Sequence, residues 1–137
     1  MSGMKLSAQT LLDVAAVIKP NLGVDLVPTG PGMYEALDRN FDQFKDHLLV
    51  SAYDFSEPWG SWERHPAGDE IVILLSGRVE FVLRRDEGDD SVSLDQNGDY
   101  LVIPQGIWHT AKTAEPSRLL FITPGEGTEH GQDPRLL

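Results

Sequence analysis

Cysteine is absent from this 137-residue chain. Without thiols there are no disulfides, no thiolate zinc site and no cysteine nucleophile. Basic residues are scarce: 11 Lys and Arg stand against 22 Asp and Glu, a formal net charge of −11. A chain so acidic is repelled by phosphate, so neither nucleic acid nor a membrane surface is an expected partner. No stretch approaches the roughly 20 apolar residues of a membrane span. The opening Met1-Ser2-Gly3-Met4-Lys5 lacks the apolar core and small-residue cleavage site of a signal peptide, and the expected location is the cytoplasm. There is no fixed-period repeat and no low-complexity tract. Histidine is rare too, with four in the chain.

What remains is ordinary for a soluble globular protein: 40% apolar and 24% charged residues. The length fits one domain that can bury its own core. Three regions separate by composition. Residues 1–47 read as a helical and irregular extension. Ser7 is placed to cap a helix running through Ile18, with Leu11, Leu12, Ala15, Val17 and Ile18 at its apolar positions. Pro20 and Gly23 end it. Met33, Leu37, Phe41 and Phe44 mark a second short helix. Neither helix carries recognisable chemistry.

Residues 48–123 read as a train of short strands, at 48–55, 59–65, 70–75, 78–85, 91–94, 99–103, 108–113 and 118–123. They are rich in Val, Ile, Leu, Phe and Tyr, and Gly, Pro, Asp and Ser fill the breaks. Many short strands at regular spacing predict an antiparallel sandwich or barrel. Residues 124–137, rich in Gly, Pro and Glu, read as a loose tail. The acidic run Asp86-Glu87-Gly88-Asp89-Asp90 reads as a solvated hairpin tip, and Gly77, Gly98 and Gly106 as turn residues.

Chemistry concentrates in two places. In Trp62-Glu63-Arg64-His65, strand alternation sends Glu63 and His65 to one face, and Trp62 and Arg64 to the other. Pro66-Ala67-Gly68-Asp69 turns the chain, and Glu70 opens the next strand. Further on, Gly98 to Ile103 runs into a Pro104-Gln105-Gly106 turn, and a returning strand begins near His109. If both hairpins line one barrel, Glu63, His65, Glu70 and His109 can converge inside it. Two imidazoles with one or two carboxylates suit a divalent ion such as iron, manganese, nickel or zinc. Two carboxylates and one such ion sum to zero charge, whereas bare carboxylates sharing an apolar pocket repel.

These residues resemble the two motifs of a small single-domain cupin. The first stands here as Glu63-x-His65-x4-Glu70-x6-Gly77. The second stands as Gly98-x5-Pro104-x-Gly106-x2-His109-x3-Thr113. Glu63 occupies the first His position of the family pattern, and Thr113 its final Asn position. The resemblance implies an all-β double-stranded β-helix, a jelly-roll barrel, with the N-terminal helices packed outside and a homodimeric assembly. It carries over His65, Glu70 and His109 as metal ligands, and leaves Glu63 as a fourth ligand or a general base. It implies a metal-dependent enzyme acting on a small oxygen-rich molecule by a dioxygenase, isomerase or lyase reaction. The alternative is a non-catalytic module that binds or senses a small ligand or metal. His47 is expected to be structural and His130 to have no role. Arg64, Trp62 and Trp108 should face away from the site, and Trp59 should lie near the barrel mouth. Tyr53, Tyr100, Val79, Phe81 and Leu120 are wall or core candidates.

Overall fold

The structure, a computed structural model, describes residues 6–132. Its strands are β1 (Val14–Ile18), β2 (Val24–Pro28), β3 (Leu48–Phe55), β4 (Trp62–Arg64), β5 (Glu70–Ser76), β6 (Val79–Arg85), β7 (Gly88–Leu94), β8 (Tyr100–Ile103), β9 (His109–Lys112), β10 (Ser117–Thr123) and β11 (Glu129–Gly131). One helix, α1 (Met33–Asn40), lies between β2 and β3. Two antiparallel sheets form, ordered β2-β1-β3-β10-β5-β8 and β11-β4-β9-β6-β7. This is the expected all-β jelly roll. All eight strands anticipated between residues 48 and 123 are present, with ends shifted by a few residues at most.

Alternation along the strands builds the interior. On β5, Glu70, Val72 and Leu74 are buried while Ile71 and Ile73 are only partly covered. Val72, Leu74, Val79, Phe81, Leu83, Leu94, Ile103, Ala111, Leu119 and Phe121 fill the space between the sheets. Val79 and Phe81 are thus core; Tyr53 and Tyr100 are exposed, and Leu120 is half-buried on the outer face.

The extension departs from its expected form. The helix anticipated from Ser7 to Ile18 is absent: Thr10 to Asp13 turn, and Val14–Ile18 is strand β1. Ala15 and Val17 are fully buried there while Val14, Ala16 and Ile18 face outward. Apolar residues at 15, 17 and 18 fit a helical stripe and an alternating strand equally well. Pairing with β2 and β3 settles the matter in favour of the strand. The second helix is α1, followed by a left-handed turn at Asp42, Gln43 and Phe44, with φ of 53, 55 and 62°. Phe44 packs with Leu37, Ala15, Val17 and Leu49, which seals the extension to the barrel. The acidic run is only partly a tip: Arg85 pairs with Gly88 in register, Arg84 meets Asp89 at 2.9 Å and Arg85 meets Asp90 at 3.6 Å. Residues 129–131, within the expected loose tail, pair as β11 with β4.

The outer face of the six-stranded sheet carries two apolar rows beside the Arg118–Asp54 ion pair. One register row runs Leu26, Ala16, Val50, Ile122, Ile71, Val102. The next holds Ala52, Leu120, Ile73 and Tyr100.

Gly77 joins β5 to β6 with φ of 89°. A Cβ there would overlap Ser117 Oγ and lie 2.6 Å from the Pro116 carbonyl oxygen. Both the left-handed backbone and the backbone clash oppose any side chain. Gly77→Ala should destabilise by about 2–4 kcal/mol in urea unfolding. A loss under about 0.5 kcal/mol, the level of an ordinary surface substitution, would contradict this packing.

Candidate metal centre

Glu63 and His109 lie directly opposite each other on β4 and β9. His65 follows β4 by one residue, and Glu70 opens β5 on the other sheet. The four residues therefore bridge the two sheets inside the barrel. The turn after β4 returns Glu70 to the side that Glu63 and His65 share. The loop before β9 fixes that geometry. Gly106, with φ of 75°, donates its backbone N–H to the His65 carbonyl at 3.0 Å. Gln105 donates from its side chain to the Pro66 carbonyl at 2.7 Å and from its backbone to Asp69 Oδ1 at 2.8 Å. The turn of the second motif is thus pinned to the turn of the first.

One ligand atom from each of Glu63, His65, Glu70 and His109 lies within 4.8 Å of every other. Glu63 Oε1 is 3.5 Å from both His65 Nε2 and His109 Nε2. The two imidazole nitrogens are 3.3 Å from Glu70, His65 at Oε2 and His109 at Oε1. His109 is fully buried, and Glu70 and His65 nearly so.

The far sides of these groups are tied down. His109 Nδ1 donates to the Ile107 carbonyl at 3.0 Å. His65 Nδ1 is 2.9 Å from Thr128 Oγ1, whose own hydrogen goes to the Gly125 carbonyl at 3.0 Å. Thr128 therefore accepts, and His65 Nδ1 carries a hydrogen. In the neutral ring each Nε2 is then a bare lone pair aimed at the carboxylates. Thr123 Oγ1 donates to Glu70 Oε2 at 2.6 Å. His65 Nε2, His109 Nε2 and Glu70 Oε1 are buried without a hydrogen-bond partner, because their mutual contacts are close but poorly directed. Buried polar atoms are rarely left so. Imidazoles oriented through their second nitrogen, with carboxylates beside them, are how proteins hold transition metals, and these donors could hold one divalent ion.

Burial opposes charge on both histidines, but the facing carboxylates of Glu63 and Glu70 outweigh it. The imidazoles of His65 and His109 are pushed up from 6.5 to about 9. Burial likewise opposes ionisation of Glu63 and Glu70, and the two imidazoles outweigh it, holding both acids below their ordinary 4.5.

All four expected site residues come together. His47 is structural as expected: its Nδ1 meets the Lys45 carbonyl at 2.7 Å and its ring packs on Phe41 and Phe44. His130 lies nearer the site than a loose tail would place it. Its register on β11 places it opposite Glu63, with Nε2 3.3 Å from Glu63 Oε2. Arg64 turns away from the site, toward Glu129 at 2.8 Å and the Trp108 ring at 4.9 Å. Thr113 bonds to the Arg78 carbonyl at 2.7 Å and contacts Ser117 at 3.0 Å, latching the Gly77 turn. Trp59 packs against Phe55, Phe81, Phe121 and His109.

A cavity of about 810 Å³ opens from the site, with Trp59, Tyr53 and the α1 residues Met33, Tyr34 and Leu37 in its wall. Tyr34 is exposed over most of its surface, yet desolvation and then the charges of Glu63 and Glu70 raise its hydroxyl above the usual 10.0. Sequence reasoning missed α1 as a cavity wall. No local signal carries it, because the helix is placed by Leu37 packing with Ala15, Val17, Phe44 and Leu49 elsewhere in the chain.

Fold and site together define a jelly-roll barrel with a candidate metal centre between its sheets. A family model described as "Cupin domain" matches residues 53–123, just over half of the chain, and the chain belongs to that family. No curated protein matches it. Among solved structures it is similar to a cupin-2 domain containing protein from Shewanella frigidimarina, at 23% identity over 56% of this chain and 70% of that one, TM-score 0.48. It is also similar to oxalate decarboxylase of Bacillus subtilis, a protein with Mn(II) centres, at 18% identity over 69% of this chain and TM-score 0.52. The match spans 26% of the decarboxylase. Likeness at this identity is likeness of fold.

The site sets a pH dependence. An imidazole whose pKa rises on folding from 6.5 to about 9 adds stability that is full below pH 6.5 and fades as pH climbs through about 9. Glu63 and Glu70, lowered on folding, add stability that is present above pH 4.5 and lost on acidification. For protein stripped with EDTA, the Tm should therefore fall between about pH 6.5 and 9. Added Mn(II) should raise the Tm more at the higher pH, because the ion requires both imidazoles neutral. Calorimetry at the two pH values checks this; a stripped-protein Tm that rises with pH would contradict it.

Proposed function

We propose that the chain binds one divalent ion through His65, Glu70, His109 and Glu63 Oε1, and acts as an enzyme on a small oxygen-bearing molecule held beside it. One observation carries the reading. Two buried imidazoles present unpartnered Nε2 atoms to a buried carboxylate, with their Nδ1 atoms engaged behind them. The decarboxylase of similar fold has Mn(II) centres, which supports the capacity of such a barrel for an ion of this kind. Iron, manganese, nickel or zinc bound here would polarise a substrate oxygen as a Lewis acid.

The chain's own residues divide the remaining tasks. Thr128 and the Ile107 carbonyl hold the rings in orientation, and Thr123 holds Glu70. Glu63 is 20% exposed at its side chain and Glu70 2%. Glu63 is thus the carboxylate that a substrate can reach, the placement a general base needs. Glu63 also shares Oε1 between both histidines, and that position favours ligation. A non-catalytic binding module would use the same atoms; turnover separates the two.

Protein purified without a chelating tag and offered Fe(II), Mn(II), Ni(II) or Zn(II) should take up about one equivalent by elemental analysis. His109→Ala should abolish uptake while leaving the circular dichroism spectrum unchanged. Glu63→Gln should weaken affinity by about tenfold or more. Uptake of a few hundredths of an equivalent, or equal uptake by His109→Ala, would refute the site. If Glu63→Gln binds metal normally and loses only turnover, Glu63 is a base and not a ligand.

We also propose that the apolar outer face of the six-stranded sheet joins two copies. Light scattering should give twice the chain mass of 15.2 kDa. Val102→Asp, at an exposed position on that face, should give the chain mass itself. A monomeric wild type would refute the proposal.

A further inference from the structure

The cavity that opens from the centre has a one-sided charge. Among the described residues four carboxylates line it, Glu63 and Glu70 at its floor and Glu35 and Asp38 from α1, and no lysine or arginine does. Arg64 is turned to Glu129 and Trp108, and Arg118 pairs with Asp54 at 2.6 Å on the outer face. A divalent ion would cancel Glu63 and Glu70 and leave Glu35 and Asp38 uncompensated. Without an ion, the protonated imidazoles of His65 and His109 balance Glu63 and Glu70, and Glu35 and Asp38 again stay uncompensated. The net charge of −11 adds a field of the same sign, which low-dielectric walls focus into a cleft.

Aromatic side chains form part of the remaining wall, beside His130 and apolar residues such as Met33, Leu37 and Leu49. Tyr34, Tyr53 and Trp59 line the cavity, and Trp59 Nε1 is buried without a partner. Aromatic faces take a flat organic body, and they attract a cation positioned over them. Away from the centre, on the α1 side, a carboxylate or phosphate would meet no guanidinium or ammonium partner among the described residues.

We infer that the site selects a compact aromatic molecule bearing an amine, and disfavours the corresponding carboxylate. The inference rests on the reading of this cavity as a small-molecule site and names its ligand class. Glu35 and Asp38 are its specificity residues: they set the charge of the entrance and make no hydrogen bond or ion pair with the imidazoles or the candidate ligand carboxylates. The aromatic ring lies against Tyr34, Tyr53 and Trp59, and the ammonium group faces the α1 acids.

Tyramine and 4-hydroxyphenylacetate test this, because they share a phenol and differ in the sign of charge at the other end. Dissociation constants are read by calorimetry at low salt, on EDTA-treated and on Mn(II)-supplemented protein, with metal content measured separately. Tyramine should bind roughly tenfold or more tightly than the acid in both preparations, the scale of one charge contact near a surface. Glu35→Gln with Asp38→Asn should shrink that ratio at least threefold, with unchanged metal uptake and an unchanged unfolding midpoint. Equal binding, tighter binding of the acid, a ratio indifferent to the double substitution, or no binding of tyramine would each overturn the inference. A protein that takes up no metal yet keeps the ratio would refute the metal centre and leave the ligand class standing.

Discussion

The barrel interior is organised around one electrostatic constraint. Two imidazoles and two carboxylates share a space from which water is largely excluded, and none can be charged there alone. Either the histidines take protons and balance the acids, or a divalent ion takes the place of those protons. The surroundings serve both solutions. Thr128, the Ile107 carbonyl and Thr123 satisfy the outer atoms, so only the inward atoms remain to be matched. The hydrogen bonds of Gln105 and Gly106 to the neighbouring turn keep the two halves of the site in register, which no single strand could do.

The barrel and its centre were legible because their signals are local. Alternation in Glu63-Arg64-His65, the Pro104-x-Gly106 turn and the strand-break-strand rhythm from residue 48 each act over a few residues. What escaped depends on distant partners. Val14–Ile18 has too few residues for period to discriminate, and its state is set by pairing with β2 and with β3, whose partners lie 30 to 34 residues further on. His130 sits in a stretch that composition marks as loose, but pairing of β11 with β4 brings it to Glu63. Tyr34, Glu35 and Asp38 occupy a helix whose apolar stripe shows that it packs, and nothing in that stripe shows against what.

The N-terminal segment therefore does more than cover the barrel. Its strands extend one sheet, and its helix closes one side of the cavity. The candidate metal centre thereby acquires an entrance built in part by the N-terminal segment. The division is a physical one: the barrel supplies rigid donors from facing sheets, and the appended helix supplies charge and aromatic surface at the mouth.

X-ray absorption of the metal-loaded protein tests the central claim most directly. The account predicts a shell of nitrogen and oxygen neighbours at about 2.0–2.2 Å, with the outer-shell scattering of two imidazoles, reduced to one in His109→Ala. A shell of oxygen alone, or imidazole scattering unchanged by that substitution, would place the ion elsewhere and contradict the account.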